Sequence, residues 1–218
     1  MLRRSLQLVS IAASLIIPPA ILAGSGPTVL AIDAVNSQVL IQVGKAGLFG
    51  FAGHAHEVAA TDVHGRITLD PTDLQHASVW LEFPASALRV SGKDEPPADV
   101  VEVQKVMLGE RVLDVARYPT VVFTSRRVSV TARTAGTADV TIDGDLTLHA
   151  TTRPMSIRAS VTLDPGDRIA ARGSFVLKQT DFGMVPVTAV GGTIRVRDEL
   201  EIQFVLRARP SDVTRTAR

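Results

Sequence analysis

Cysteine is absent from all 218 residues. That removes disulfides, thiolate catalysis, thiolate-bound metal and the lipidated cysteine of a bacterial lipoprotein together. Aromatic residues are nearly as scarce. One Trp, one Tyr and seven Phe leave too few rings for a base-stacking platform, so the core is expected to be aliphatic. An excess of one charge is also missing: 23 Lys and Arg stand against 22 Asp and Glu, which gives no electrostatic footprint for nucleic acid or an anionic membrane. Beyond the first residues, no apolar run approaches the ~20 residues that a spanning helix needs.

What the sequence does contain begins with an export pattern. Arg3 and Arg4 precede an apolar run from Leu6 to Ile17, interrupted by Gln7, Ser10 and Ser14 and ended by Pro18-Pro19. This reads as a signal peptide over residues 1–27, with cleavage between Ala23 and Ala31. An uncleaved anchor is the alternative, and the shortness of the run argues against it. Residues 28–209 then form one domain of moderate size, long enough to bury a core, and 210–218 form a polar tail.

The clearest periodicity lies between Thr137 and Leu163. Ala138, Val140, Ile142, Gly144, Leu146, Leu148 and Ala150 alternate with polar residues. After Thr151-Thr152-Arg153-Pro154 the parity flips, to Met155, Ile157, Ala159, Val161 and Leu163. Two antiparallel strands joined by a turn at Thr151–Pro154 explain the flip. Weaker alternations predict further strands at Ser37–Val43, His54–Ala60, Val63–Asp70, Ala77–Phe83, Thr120–Val130, Ile169–Lys178 and Glu199–Arg209. Trp80 falls on a polar face.

Two segments break the alternation. Gly44 to Gly53 places four glycines around Leu48, Phe49 and Phe51, which suggests an irregular plug tucking two rings inward. Asp99 and Glu102 resemble a capping box, and Val100, Val103, Val106 and Met107 fit one helical face that Gly109 can end. Seven or eight long antiparallel strands with one inserted helix make an all-β, up-and-down barrel the expected fold, with a two-sheet sandwich as runner-up. Small residues at inward positions (Gly65, Ala77, Ala138, Gly144, Ala150, Ala159, Ala171, Gly173) suggest an under-filled interior, and hence a lipophilic cavity.

Reactive constellations are few. His54 and His56 lie on one side of a strand and are spaced to hold a metal, with Glu57, Asp62 or His64 as further ligands. No third ligand follows from the spacing, so histidines in structural hydrogen bonds are the favoured reading. A metal-binding protein or metal-dependent enzyme centred on this pair stays open as the alternative function, as does a filled barrel serving as an interaction module. His76 and His149 read as solvated. No serine sits in a nucleophile elbow, and Asp181-Phe182-Gly183 lacks the other motifs of a kinase.

Several blocks together resemble the bacterial YceI-like family. They are Tyr118-Pro119-Thr120-Val121-Val122-Phe123, Gly144-Asp145-Leu146-Thr147-Leu148 followed by Thr151-Thr152-Arg153-Pro154, and Thr180-Asp181-Phe182-Gly183-Met184. They stand in the family's order between about Ile32 and Ala208. The resemblance implies a lipocalin-like barrel, periplasmic or secreted, enclosing a long polyisoprenoid or similar amphiphilic lipid as a carrier or reservoir, without catalysis or cofactor. Gln179 stands where the family often has arginine, and the helical insert lacks the family's Arg-Asp-x-His-Leu. Expected lining residues are Phe49, Phe51, Phe123, Leu146, Leu148, Phe175, Phe182 and Phe204, with His54 and His56 orienting a head group. No metal, nucleic-acid partner or membrane span after cleavage is expected, and a homodimer is left open.

Overall fold

The computed structural model describes residues 26–46, 56–92, 96–164, 168–189 and 194–211. The signal segment, Phe49, Phe51 and His54 lie outside these residues. In chain order the elements are β1 (Thr28–Ile32), β2 (Gln38–Ala46), β3 (His56–Ala60), β4 (His64–Asp70), β5 (Asp73–Pro84), β6 (Leu88–Val90), α1 (Pro97–Leu108), β7 (Thr120–Arg133), β8 (Thr137–Leu148), β9 (Thr151–Asp164), β10 (Arg168–Lys178), β11 (Thr188–Ala189) and β12 (Ile194–Pro210). Every pairing is antiparallel.

The sheet closes on itself. The order β1-β4-β5-β7-β8-β9-β10-β12 returns to β1 through Leu30↔Pro210, Ala31↔Arg209 and Ile32↔Ala208. The closed circuit decides for the barrel over the sandwich, while the branch β2-β3-β6 beside β12 ends in β6 as an edge. Three staves of this barrel are interrupted. β1 and β2 share one edge of β12, β3 and β4 lie beside β2 and β1, and β6 and β5 lie beside β3 and β4. A 3-10 turn at Ala34–Asn36, which the Asp33 carboxylate caps at Asn36, breaks the first stave. β1 and β6 were too short for periodicity to reveal.

One end of the barrel carries the tight turns between β4 and β5 and between β7 and β8, and there β9 and β10 begin to pair at Arg168↔Asp164. The other carries α1, the β8–β9 turn and the Thr180–Phe182 3-10 turn. At this helix end two seams of the wall are not closed by backbone pairing. Between β9 and β10 the ladder runs from Arg168↔Asp164 to Gly173↔Ala159 and stops, and Pro154, which has no N–H to give, lies in the part of β9 beyond it. Between β5 and β7 pairing stops at Pro84↔Thr120, where β6 turns away to pair with β3.

The helix serves the second seam. α1 starts after Pro96, with Pro97 in its first turn and no side-chain cap, so the expected Asp99 box does not form; Asp99 lies in the first turn instead, where the helix dipole favours an acid. Gln104 supplies what β6 lacks. Its Oε1 accepts from Val90 N–H at 2.8 Å and its Nε2 donates to the Leu88 carbonyl at 2.8 Å, so one amide side chain takes the place of a neighbouring strand. Val100, Val103, Met107 and Leu108 pack toward the core beside it.

The hairpin turn is His149-Ala150, with φ of 51° and 55°. It is not Thr151–Pro154, which begins β9. Two successive left-handed residues form the turn that matches the twist of the flanking strands. Ala150 is therefore an exposed turn residue and does not face inward.

Candidate ligand-binding interior

Alternation aims one face of every stave at the barrel axis, and those residues form two apolar clusters. Near the tight-turn end, Leu30, Ile67, Leu69, Leu74, Val128, Val140 and Ile169 pack with Ala138, Ala159 and Ala208. Toward the helix end, Val58, Leu88, Val121, Phe123, Leu146, Ile157, Leu177, Phe182, Met184 and Ile202 form the larger one. Ile32, Val79, Ile142 and Phe204 touch both clusters and are only half-buried. β7 stays in both because a bulge between Ser125 and Arg127 shifts its inward set from Val121 and Phe123 to Val128 and Val130. The same bulge turns Arg126 and Arg127 outward together, opposite Asp145 (3.5 Å) and Asp143 (2.7 Å).

Several inward apolar side chains keep accessible surface. Ile32, Ile142, Phe175, Leu200 and Phe204 share their strand faces with buried residues, yet none is itself buried, and Ile41, Val43 and Leu81 are likewise half-buried. An inward side chain stays accessible where unfilled space or an open seam adjoins it. The inward glycines are not the source of that space. A Cβ on Gly144 would stand 2.6 Å from Phe123, and one on Gly173 would stand 2.8 Å from Phe204. These glycines seat rings from the neighbouring strands. The two surface depressions delineated among the described residues, around Arg127, Asp143 and Ser156 and around Asp139, Arg158 and Arg172, lie on the outer wall.

The sites expected from sequence separate into three groups. Phe123, Leu146 and Phe182 are packed into the larger cluster, Phe182 at 1% exposure. Leu148, Phe175 and Phe204 pack on that cluster while keeping surface, and the Phe175 and Phe204 rings lie 6.5 Å apart. His56 opens β3 opposite Val43, half-buried, and it has an interaction partner. Among the described residues no three His, Cys, Asp or Glu side chains come close enough to hold a metal. Glu57 accepts from Gln42 at 2.8 Å, and His64 pairs with Asp62 at 2.9 Å.

The segment after β10 is built from polar contacts that sequence reading did not assign. Thr180 N–H and Oγ1–H both donate to the Asp198 carboxylate, at 2.9 and 2.7 Å, and these hydrogen bonds hold its pKa below the usual carboxylate value. Gly183 ends the turn with φ of 74°, a conformation suited to glycine. Arg153 Nε donates to the Asp181 carbonyl at 2.7 Å, so the turn is tied to β9 beside the open seam. His149 is not solvated. It is half-buried, its ring centroid lies 4.1 Å from that of Tyr118, and its Nδ1 lies 3.3 Å from the Phe182 carbonyl.

Gln179 is the sole buried polar or charged side chain among the described residues, at 4% exposure. It keeps the inward parity of Phe175 and Leu177, the one signal by which sequence could have placed it. Its Nε2 donates to the Arg197 carbonyl at 2.7 Å, and its own backbone carbonyl accepts from Phe182 and Met184. Every arginine and lysine whose exposure is described lies on the surface. The described interior is therefore apolar apart from one carboxamide.

Residues 30–208 match the family model for the YceI-like domain. A UPF0312 protein of Pseudomonas savastanoi pv. phaseolicola is 39% identical over 108 residues, 47% of this chain and 52% of that protein. One from Pseudomonas putida is 38% identical over 138 residues, 61% of this chain and 66% of that protein. The chain thus spans about half to two-thirds of the length of these curated relatives. Among solved structures, BcnA of Burkholderia cenocepacia superposes with a TM-score of 0.60 at 17% identity, covering 81% of this chain and 98% of BcnA. A polyisoprenoid binding domain from Saccharophagus degradans gives 0.59 at 13% identity, covering 84% and 98%. At these identities the structural likeness speaks for the fold.

Proposed function

The chain belongs to the YceI-like family, and from that footing we propose that it is an exported binding protein that holds a long apolar chain, a polyisoprenoid or similar amphiphilic lipid, inside its barrel as a carrier or reservoir. The observation that carries this reading is the set of inward apolar side chains, Ile142, Phe175 and Phe204 among them, that stay accessible on the inner face of the barrel. The structural neighbour from Saccharophagus degradans, described as a polyisoprenoid binding domain, supports the ligand class.

The chemistry follows from the lining. Removing apolar surface from water is favourable by ~25 cal/mol per Å2, or ~0.8 kcal/mol for each CH2 buried, and the effect has no direction. Such an interior rewards chain length and holds its cargo without transforming it. Leu148, Phe175 and Phe204 line the space, with Phe123 and Leu146 behind them and Phe182 sealing the β9–β10 seam; Phe49, Phe51, His54 and His56 are proposed as further ligand contacts. The export pattern at residues 1–27 supports a periplasmic or extracellular location.

Mass spectrometry of an organic extract from untagged protein, purified from its own host, tests the reading. A long isoprenoid chain in stoichiometric amount is the expected result. Absence of lipid, together with failure of the purified protein to take up added isoprenoid, would overturn it.

A further inference from the structure

Gln179 poses a question that the apolar reading leaves unanswered. A carboxamide has two donors and two acceptor lone pairs. Its orientation here is settled by chemistry, since the atom 2.7 Å from the Arg197 carbonyl oxygen must be the nitrogen. Oε1 then has no hydrogen-bond donor among the described residues, although the side chain is 4% exposed. A buried acceptor without a partner is destabilising, and native proteins rarely leave one so. Gln179 also follows directly on β10, two residues after Leu177 of the larger cluster, to which Phe175 packs while retaining accessible surface.

We propose that Gln179 is the polar anchor of the interior, and that its Oε1 accepts a hydrogen bond from a neutral hydroxyl, alcohol or phenol, at the head of the bound apolar chain. The inference rests on the lipid-holding reading and adds the chemical class of the head group. A donor is required because Oε1 can only accept. A neutral head is required because the described interior offers no cation: every arginine and lysine of described exposure is at the surface, and an anionic diphosphate buried without a counter-charge is strongly disfavoured. A bare hydrocarbon would leave the acceptor unsatisfied.

The test compares three probes of one chain length, namely a polyprenol, the corresponding hydrocarbon and the corresponding polyprenyl diphosphate, titrated into delipidated full-length mature protein. The alcohol is expected to bind about tenfold more tightly than the hydrocarbon, the size of one buried hydrogen bond plus one relieved acceptor, and the diphosphate no more tightly than the hydrocarbon. Gln179→Leu and the unbranched Gln179→Met are expected to abolish the preference for alcohol while keeping the affinity for hydrocarbon, which also reports that they fold. Equal binding of alcohol and hydrocarbon by the unaltered protein overturns the inference alone, because Oε1 then holds a resident water only. A preference that survives in Gln179→Met overturns it as well. If none of the three probes binds, the lipid-holding reading falls and the anchor falls with it; if both variants fail to fold, the alcohol-to-hydrocarbon ratio of the unaltered protein still decides.

Discussion

Phe123 lies over the bare backbone of Gly144 on the neighbouring strand: a Cβ built on that glycine would stand 2.6 Å from the ring and 2.5 Å from the Thr124 carbonyl oxygen. The pair shows how this barrel fits rings into an aliphatic interior, because a strand glycine lets an aromatic side chain lie flat against the wall. Gly144→Ala is therefore expected to destabilise the fold by about 1–3 kcal/mol through overpacking. Gly136→Ala, which meets nothing within 4 Å, should stay within about 0.5 kcal/mol of the parent. Urea unfolding of both variants checks the contrast, and equal midpoints would refute it. Adding Phe123→Leu should relieve only part of the Gly144→Ala cost, since the contact with the Thr124 carbonyl remains.

Gln104 takes the role of a strand toward Val90 and Leu88. Replacing it with alanine leaves a backbone donor and a backbone acceptor on β6 without protein partners, at a cost of about 1–3 kcal/mol. Amide hydrogen exchange at Val90 should speed up in Gln104→Ala while the β7–β8 ladder keeps its protection. Gln104→Glu, which still accepts from Val90 but cannot donate to Leu88, should fall between the two.

The Asp198 carboxylate holds the turn that carries Phe182, and its pKa is lowered chiefly by the hydrogen bonds from Thr180. A carboxylate with a depressed folded-state pKa contributes stability that is fully present above its unfolded value of about 3.9 and is lost as the pH falls through the folded value. The Thr180 amide, followed by NMR, should thus lose exchange protection below about pH 4. Asp198→Asn should be less protected at neutral pH and should lose that acid step.

If the lipid sits where inward residues keep accessible surface, filling that space should displace it. Ile142→Trp is expected to weaken polyprenol uptake at least tenfold, whereas Val176→Trp on the outer face, where Val176 is 56% exposed, should leave uptake unchanged. Fluorescence titration measures both, with thermal unfolding to show that each variant is folded. Unaltered uptake by Ile142→Trp would place the lipid elsewhere.

Much of the wall is legible in the sequence. The alternations at Thr137–Leu163, Ile169–Lys178 and Glu199–Arg209 became β8, β9, β10 and β12, because a half-buried strand writes its two faces into every second residue. The turn of the hairpin was misplaced by two residues. His149-Ala150 lacks the Asn-Gly chemistry that marks such turns, and Thr-Thr-Arg-Pro looked more like a break. His149 was read as solvated for the same reason, since its contacts with Tyr118 and Phe182 come from segments distant in sequence.

By itself the sequence determined the longer strands, most of their inward faces, the aliphatic character of the core and, through three ordered blocks, the kinship. Periodicity reports which side a residue faces, and that is a local property of the backbone. Only the tertiary structure decided what each residue faces: that β12 returns to β1 and closes the wall, that Gln104 completes an edge where no strand is available, that glycines seat rings, and that Gln179 ends up as the one buried polar side chain described. Each of these depends on register between segments far apart in the chain, which is set by packing and barrel closure and leaves no mark on the alternation itself.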